Sequence, residues 1–142
     1  MIRLAVPLCL LFFCPQLKAQ ENSIAVQYLD SLTALWEEDA SSVEIDALGR
    51  LLADGAVYQH PRFEMRMEGR STILAAMTQF LGTSRAPHVS DVVVLNGSGV
   101  TVLAFDLSME VRGEDGWRRI ERHQVAVLEV FDGKITRISD YW

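Results

Sequence analysis

The sequence predicts an α+β fold in which helices pack on one face of a curved, largely antiparallel sheet. Two observations carry this. Apolar residues recur at helical spacing only before residue 82, and the remainder reads as strand, turn, strand to the end of the chain. Helices grouped ahead of a meander also disfavour a parallel α/β fold, in which strands and helices alternate. The expected order is α-α-β-β-α-β-β-β-β.

The elements follow in chain order. Ile24, Tyr28, Leu32, Leu35 and Trp36 form one stripe of a helix over 24–38, capped by Asn22 or Ser23. Asp39-Ala40-Ser41-Ser42 breaks it. Ser41 or Ser42 caps a shorter helix over 43–53. Asp54-Gly55 signals a turn, and Ala56 to His60 a short strand closed by Pro61. Phe63, Met65 and Met67 alternate with Glu64 and Arg66, the pattern of a half-buried strand. Ser71 is the expected cap of a third helix, which Gly82 stops near Leu81. Strands are then expected over 89–95, 100–111, 117–131 and 134–142. Turns at Asn96 to Gly99, Gly113 to Gly116 and Asp132-Gly133 separate them.

Length and charge narrow the function. The chain has 142 residues and a net charge of −6, which fits one domain. Residues 1–19 carry Arg3, then an apolar run from Leu4 to Cys14, Pro15, and Leu17-Lys18-Ala19. The run is too short to span a bilayer and reads as a secretory signal peptide cleaved before Gln20. Export to the periplasm or the medium is the expectation, with residues 20–142 as the working domain. That domain has 19 acidic and 11 basic residues, a charge of −8. Both cysteines, Cys9 and Cys14, precede it, so disulfides, thiolate nucleophiles and cysteine metal sites are excluded. An acidic chain without a basic run argues against nucleic acid and anionic membranes as partners, and no stable membrane insertion is expected.

Leu51 to Pro61 (LLADGAVYQHP), then Glu68-Gly69-Arg70 and a helix, resembles the first half of the nuclear transport factor 2-like superfamily. Phe131 to Trp142 (FDGKITRISDYW) resembles its closing hairpin, especially in the polyketide-cyclase-like (SnoaL-like) branch. The likeness covers residues 22–142. It implies a cone, a bent mixed sheet wrapped around the first helices with an apolar pocket at the open end. It also implies a homodimer through the sheet's outer face. The superfamily holds isomerases, cyclases, epoxide hydrolases, dehydratases and non-catalytic members, so fold alone does not name an activity.

Candidate chemistry comes from a few positions. The ketosteroid isomerases carry Ala-Asp-Asp-Ala-…-Asp-Pro at the first strand, and their proton-shuttling base falls at His60. Imidazole moves protons near neutral pH. Their acidic oxyanion donor falls near Ala126, which has no polar group, so steroid isomerisation itself is not implied. Asp140 matches the acid/base of the SnoaL-like last strand. It can act itself, orient His60, or pair with an arginine such as Arg122. Tyr28, on the inner face of the first helix, falls where the isomerases place an oxyanion-donating tyrosine, or is an ordinary core residue. His60, Asp140 and Tyr28 are the expected catalytic set. Tyr58, Phe63, Met65, Phe80, Phe105, Met109 and Trp142 are the expected ligand-lining set. His123 and Arg122 alternate on one strand, so only one faces inward, and His88 sits at a strand entrance.

No ligand-spaced histidine cluster, Gly-x-Ser-x-Gly elbow, phosphate loop or dinucleotide fingerprint occurs. No metal or cofactor is therefore expected. The expected activity is cofactor-free acid/base chemistry of the isomerase or cyclase type on a small apolar carbonyl or ring compound, with activation of water as an equal use of the same groups. A non-catalytic module binding a small apolar ligand, or a dimeric interaction module, are the alternatives. A closed inner face, or a continuous apolar outer face, would favour the last.

Overall fold

A computed structural model describes residues 23–142. The expected signal peptide (1–19), its cysteines and Asn22 lie outside the described residues. The elements are α1 (Ile24–Leu35), α2 (Ser42–Leu51), β1 (Leu52–His60), a 3-10 turn (Pro61–Phe63), β2 (Met65–Glu68), α3 (Arg70–Thr78), β3 (Ser84–Asn96), β4 (Val100–Gly113), β5 (Gly116–Phe131) and β6 (Lys134–Tyr141). This is the expected order. The six strands form one open sheet in the order β2-β1-β6-β5-β4-β3. All neighbours are antiparallel except β1 and β6, which run parallel, so the sheet is mixed.

Local chemistry sets the helix starts. Ser23 caps α1 by accepting from the Val26 amide at 3.3 Å. Ser41 caps α2 in a reciprocal box: its hydroxyl accepts from the Val43 amide, while its own amide donates to Glu44 Oε2 at 2.7 Å. Ser41→Ala should lower stability by about 1 kcal/mol, read as a lower urea midpoint with unchanged slope. Helix α3 departs from expectation. Its cap is Gly69 at φ +88, with no side-chain cap, and Ser71 lies inside the helix. The left-handed backbone there suits glycine and leaves no role for a serine cap. The helix ends at Thr78, three residues before the expected Leu81.

Three strand starts also differ, the simplest being β3, which begins at Ser84 rather than Val89. Asp54-Gly55 does not turn the chain. The β1–β6 register jumps from Leu52↔Ile135 to Val57↔Arg137, so the extra residues are absorbed as a bulge, and exposed Asp54 pairs with Arg70 at 2.7 Å. Phe63 is not in a strand. Pro61 fixes the first residue of the 3-10 turn, and Glu64 at φ 52 re-aims the chain into a shorter β2. Asp132 (φ 49) and Gly133 (φ 70) make the expected tight hairpin between β5 and β6.

The core lies between the helices and the sheet's inner face. That face takes Leu103, Phe105, Leu107 and Met109 from β4, Ala126 and Leu128 from β5, and Ile135 and Ile138 from β6, all buried. Ala25, Tyr28, Leu29 and Leu32 of α1 and Ile45 and Leu48 of α2 complete it. Among the described residues, no helix is long and apolar enough to cross a membrane.

Candidate functional site

Period-two alternation puts Tyr58 and His60 of β1 on the inner face, beside Ile138 and Asp140 of β6. The β5–β6 register sets Asp140 opposite Ala126, and β4–β5 sets Gln124 opposite Phe105 and Arg122 opposite Leu107. Five polar side chains therefore meet on one inner surface, supplied by residues up to 82 positions apart.

Asp140 is the hub. Tyr58 Oη donates to its Oδ2 at 3.0 Å, and Gln124 Nε2 donates to Oδ1 and Oδ2 at 2.9 and 3.0 Å. Asp140 is 4% exposed, Tyr58 6% and Gln124 1%. Burial pushes the Asp140 carboxyl above its ordinary value. The bonds from Tyr58 and Gln124, then the charges of Arg122 and His60, oppose that push without cancelling it. Two donor groups do not exhaust a carboxylate with about four lone-pair sites, so Asp140 keeps acceptor capacity. The Tyr58 and Tyr28 hydroxyls are both held protonated, first by burial and next by the Asp140 charge. Tyr28 sits in the core of α1, close enough to feel that charge.

His60 is fully buried, and neither ring nitrogen has a hydrogen-bond partner. Its neighbours are aromatic: Phe63 with ring centroids 4.4 Å apart, and Trp142 edge-on at 4.8 Å. Asp140 therefore does not orient His60 by a direct bond, as one sequence reading had it. The carboxylate is held by Tyr58 and Gln124 instead. Arg122 lies 4.2 Å over the Trp142 ring, half-buried, with its Nε buried and unbonded. It makes no ion pair with Asp140 within 4.0 Å, although each feels the other's charge. Burial pulls the Arg122 pKa down, while Asp140 and then Tyr58 pull it up.

The remaining sequence candidates scatter. Met65 faces His60 in register on β2 and is 40% exposed at the rim, with Phe63 and Trp142. Phe105 and Met109 are buried in the core, and Phe80 is exposed beyond the end of α3. His123 faces outward and contacts Asp106 at 2.6 Å. With His88, Ser90, Ser108, Glu121 and the neighbouring Arg122 it borders a hollow of about 460 Å³. Among the described residues, no group of three His, Cys, Asp or Glu side chains is placed to hold a metal ion.

Gln124 escaped the sequence reading, and Arg122 was undervalued by it. A signal existed: Gln124, Ala126 and Leu128 share one parity, so the glutamine interrupts an inward apolar row. The charged neighbours Arg118 to His123 masked it.

A family model described as a SnoaL-like domain matches residues 27–138. Among solved structures, the chain is similar to one from Shewanella putrefaciens provisionally named a SnoaL-like polyketide cyclase. The TM-score is 0.67 and the identity 16%, over 85% of this chain and 78% of that one. It is similar to a Mycobacterium tuberculosis epoxide hydrolase, with TM-score 0.62 and identity 18%, over 83% and 81% of the two chains. It also resembles a Catenulispora acidiphila protein with a ketosteroid isomerase-like fold, crystallised with trimethylamine. There the TM-score is 0.63 and the identity 17%, over 82% and 85%. Identities this low speak for the fold alone. No curated protein sequence matches the chain.

Proposed function

The chain belongs to the SnoaL-like domain family, and from that premise we propose that it is an exported, cofactor-free acid/base enzyme of the isomerase or cyclase type, acting on a small apolar carbonyl or ring compound. One observation carries the reading. Of the five buried side-chain polar atoms without a hydrogen-bond partner among the described residues, four (His60 Nδ1, His60 Nε2, Arg122 Nε and Gln124 Oε1) belong to the group around Asp140, and the fifth is Arg137 Nε. Folding rarely leaves such atoms unpaired, because each costs about 1–3 kcal/mol. Their concentration in one place supports a site built for a polar group that is not part of the chain.

The roles follow from chemistry. Asp140, its proton affinity raised by burial, takes a proton from carbon next to a carbonyl and returns it elsewhere. Once Asp140 has taken that proton it releases the Tyr58 hydroxyl, a protonated donor on the same surface, to stabilise the oxyanion that forms. Gln124 fixes the carboxylate. Phe63, Met65 and Trp142, exposed at the rim, cover the site and move aside for substrate.

The test is deuterium incorporation next to the carbonyl of a panel of apolar cyclic ketones in D₂O, followed by proton NMR. The protein should accelerate exchange, and Tyr58→Phe should slow it roughly ten- to a hundredfold. No acceleration on any ketone would contradict the catalytic reading.

Exposed apolar residues on the outer face favour a second reading, a dimeric interaction module. Val93 and Leu95 of β3 are exposed there, in register with Ala104 and Val102 of β4, as is Tyr141 of β6 opposite Val125 of β5, with the His123–Asp106 and Arg119–Glu121 pairs to one side. A dimer through the sheet would thus bury an apolar patch flanked by polar pairs. Light scattering of the eluted protein at micromolar concentration decides whether that dimer forms.

A further inference from the structure

We infer that Arg122 and His60 form a subsite for a carboxylate carried on a flat apolar ring. The inference rests on the acid/base reading only in calling that compound a substrate. Arg122 points to the inner face, opposite Leu107 in the sheet register. Other half-exposed arginines have found carboxylates: Arg85 with Glu110 at 2.6 Å, and Arg137 with Glu129 at 3.3 Å although its Nε, too, is buried and unbonded. Arg122 is half-buried and has no carboxylate within 4.0 Å among the described residues. Its Nε is buried without an acceptor.

His60 supplies the second, independent observation. It is fully buried, and both ring nitrogens lack partners. In any tautomer at least one of them carries a proton to donate. Both residues contact the same indole, Arg122 over the Trp142 face at 4.2 Å and His60 edge-on at 4.8 Å. Two buried donors thus flank one aromatic platform, and what both lack is an acceptor. Asp140 is not that acceptor, because it lies beyond ion-pair distance of Arg122 and accepts no bond from His60.

The missing acceptor is anionic, because a guanidinium leaving water needs a counter-charge. A carboxylate matches the planar guanidinium fork with two parallel bonds. The rings of Trp142 and Phe63, packed edge-to-face with centroids 5.5 Å apart, offer the rest of the molecule their exposed apolar surface. The compound class is therefore a ring carboxylic acid whose reacting carbonyl reaches Asp140.

The experiment compares binding of 2-naphthoate and 2-naphthamide, a matched pair differing in charge, by isothermal titration calorimetry. Wild type should bind the acid at least roughly tenfold more tightly than the amide. Arg122→Gln should abolish that preference by weakening the acid far more than the amide, and Arg122→Lys should keep part of it; thermal melts confirm that both fold. Equal affinities, no binding of either compound, or a preference that survives Arg122→Gln would overturn the subsite. Asp140→Asn separates it from the acid/base reading. That variant should keep carboxylate binding while losing deuterium exchange. A wild type that selects the acid but exchanges no ketone sinks the catalytic reading alone. One that exchanges neutral ketones but shows no charge preference sinks the subsite alone.

Discussion

Asp140→Asn should abolish deuterium exchange, by roughly a hundred- to ten-thousandfold, and at the same time raise the melting temperature by roughly 3–5 °C. The two effects have one cause. Burial lifts the Asp140 carboxyl above its ordinary value. The folded state therefore binds this proton more tightly than the unfolded chain. Stability from this group is fullest below the ordinary carboxylate range and falls as pH rises through the window between the ordinary and the raised value. Above that window the fold carries a buried negative charge that helps chemistry and costs stability. Asparagine removes the charge and keeps the shape. The partners adapt, because Gln124 Oε1 is unpaired and can accept from the new amide once Gln124 turns over. Differential scanning calorimetry at pH 7 beside the exchange assay reads both effects. A variant that melts lower, or one that keeps wild-type exchange, would count against a poised Asp140.

Phe105→Ala should produce the largest loss of stability, about 3–5 kcal/mol. Phe105 is fully buried on the inner face of β4, with the Trp36 ring 6.4 Å away at 42°. The helices fix its surroundings on one side and the sheet on the other, so collapse cannot refill the space. A domain of this size holds on the order of 5–15 kcal/mol in total, so the variant will be marginal or unfolded at 37 °C. Phe105 also stands opposite Gln124 in the register. Its loss frees the glutamine that fixes Asp140, so any folded fraction should exchange more slowly per molecule. A urea midpoint within about 0.2 M of wild type would show that the core is not packed as described.

The fold was legible wherever local chemistry and alternation agree. The row Leu103, Phe105, Leu107, Met109 sets β4 and its inner face from sequence alone, and Asp132-Gly133 sets the last hairpin. Ser23 and Ser41 mark helix starts because their hydroxyls solve a local donor problem. The misses came from partners far along the chain. Asp54-Gly55 carries a turn signal, yet pairing with β6 some 80 residues later turns it into a bulge. Pro61 converted half of an alternating stretch into a 3-10 turn, which is what carries Phe63 onto His60.

The site divides in the same way. His60 and Asp140 were legible as inward polar residues on β1 and β6. Their relation was not. A His–carboxylate pair is the economical guess from sequence, but Tyr58 and Gln124 reach Asp140 first, and His60 is left among aromatic rings. Arg122 looked like one more exposed charge in the run before His123. Only the register of β4 with β5 shows that it faces inward. Export of the chain, argued from residues 1–19, calls for its own check: recovery from the periplasm or medium of a product beginning at Gln20, identified by mass spectrometry.

The central claim is that burial outweighs hydrogen bonding at Asp140, leaving a carboxyl poised to exchange protons. The direct measurement is a carboxyl-carbon NMR titration of wild-type protein with ¹³C-labelled aspartate, the Asp140 signal assigned by its absence in Asp140→Asn. The midpoint should lie above the ordinary value of 3.8. A midpoint at or below that value would make Asp140 a structural carboxylate locked by Tyr58 and Gln124, and would contradict the account.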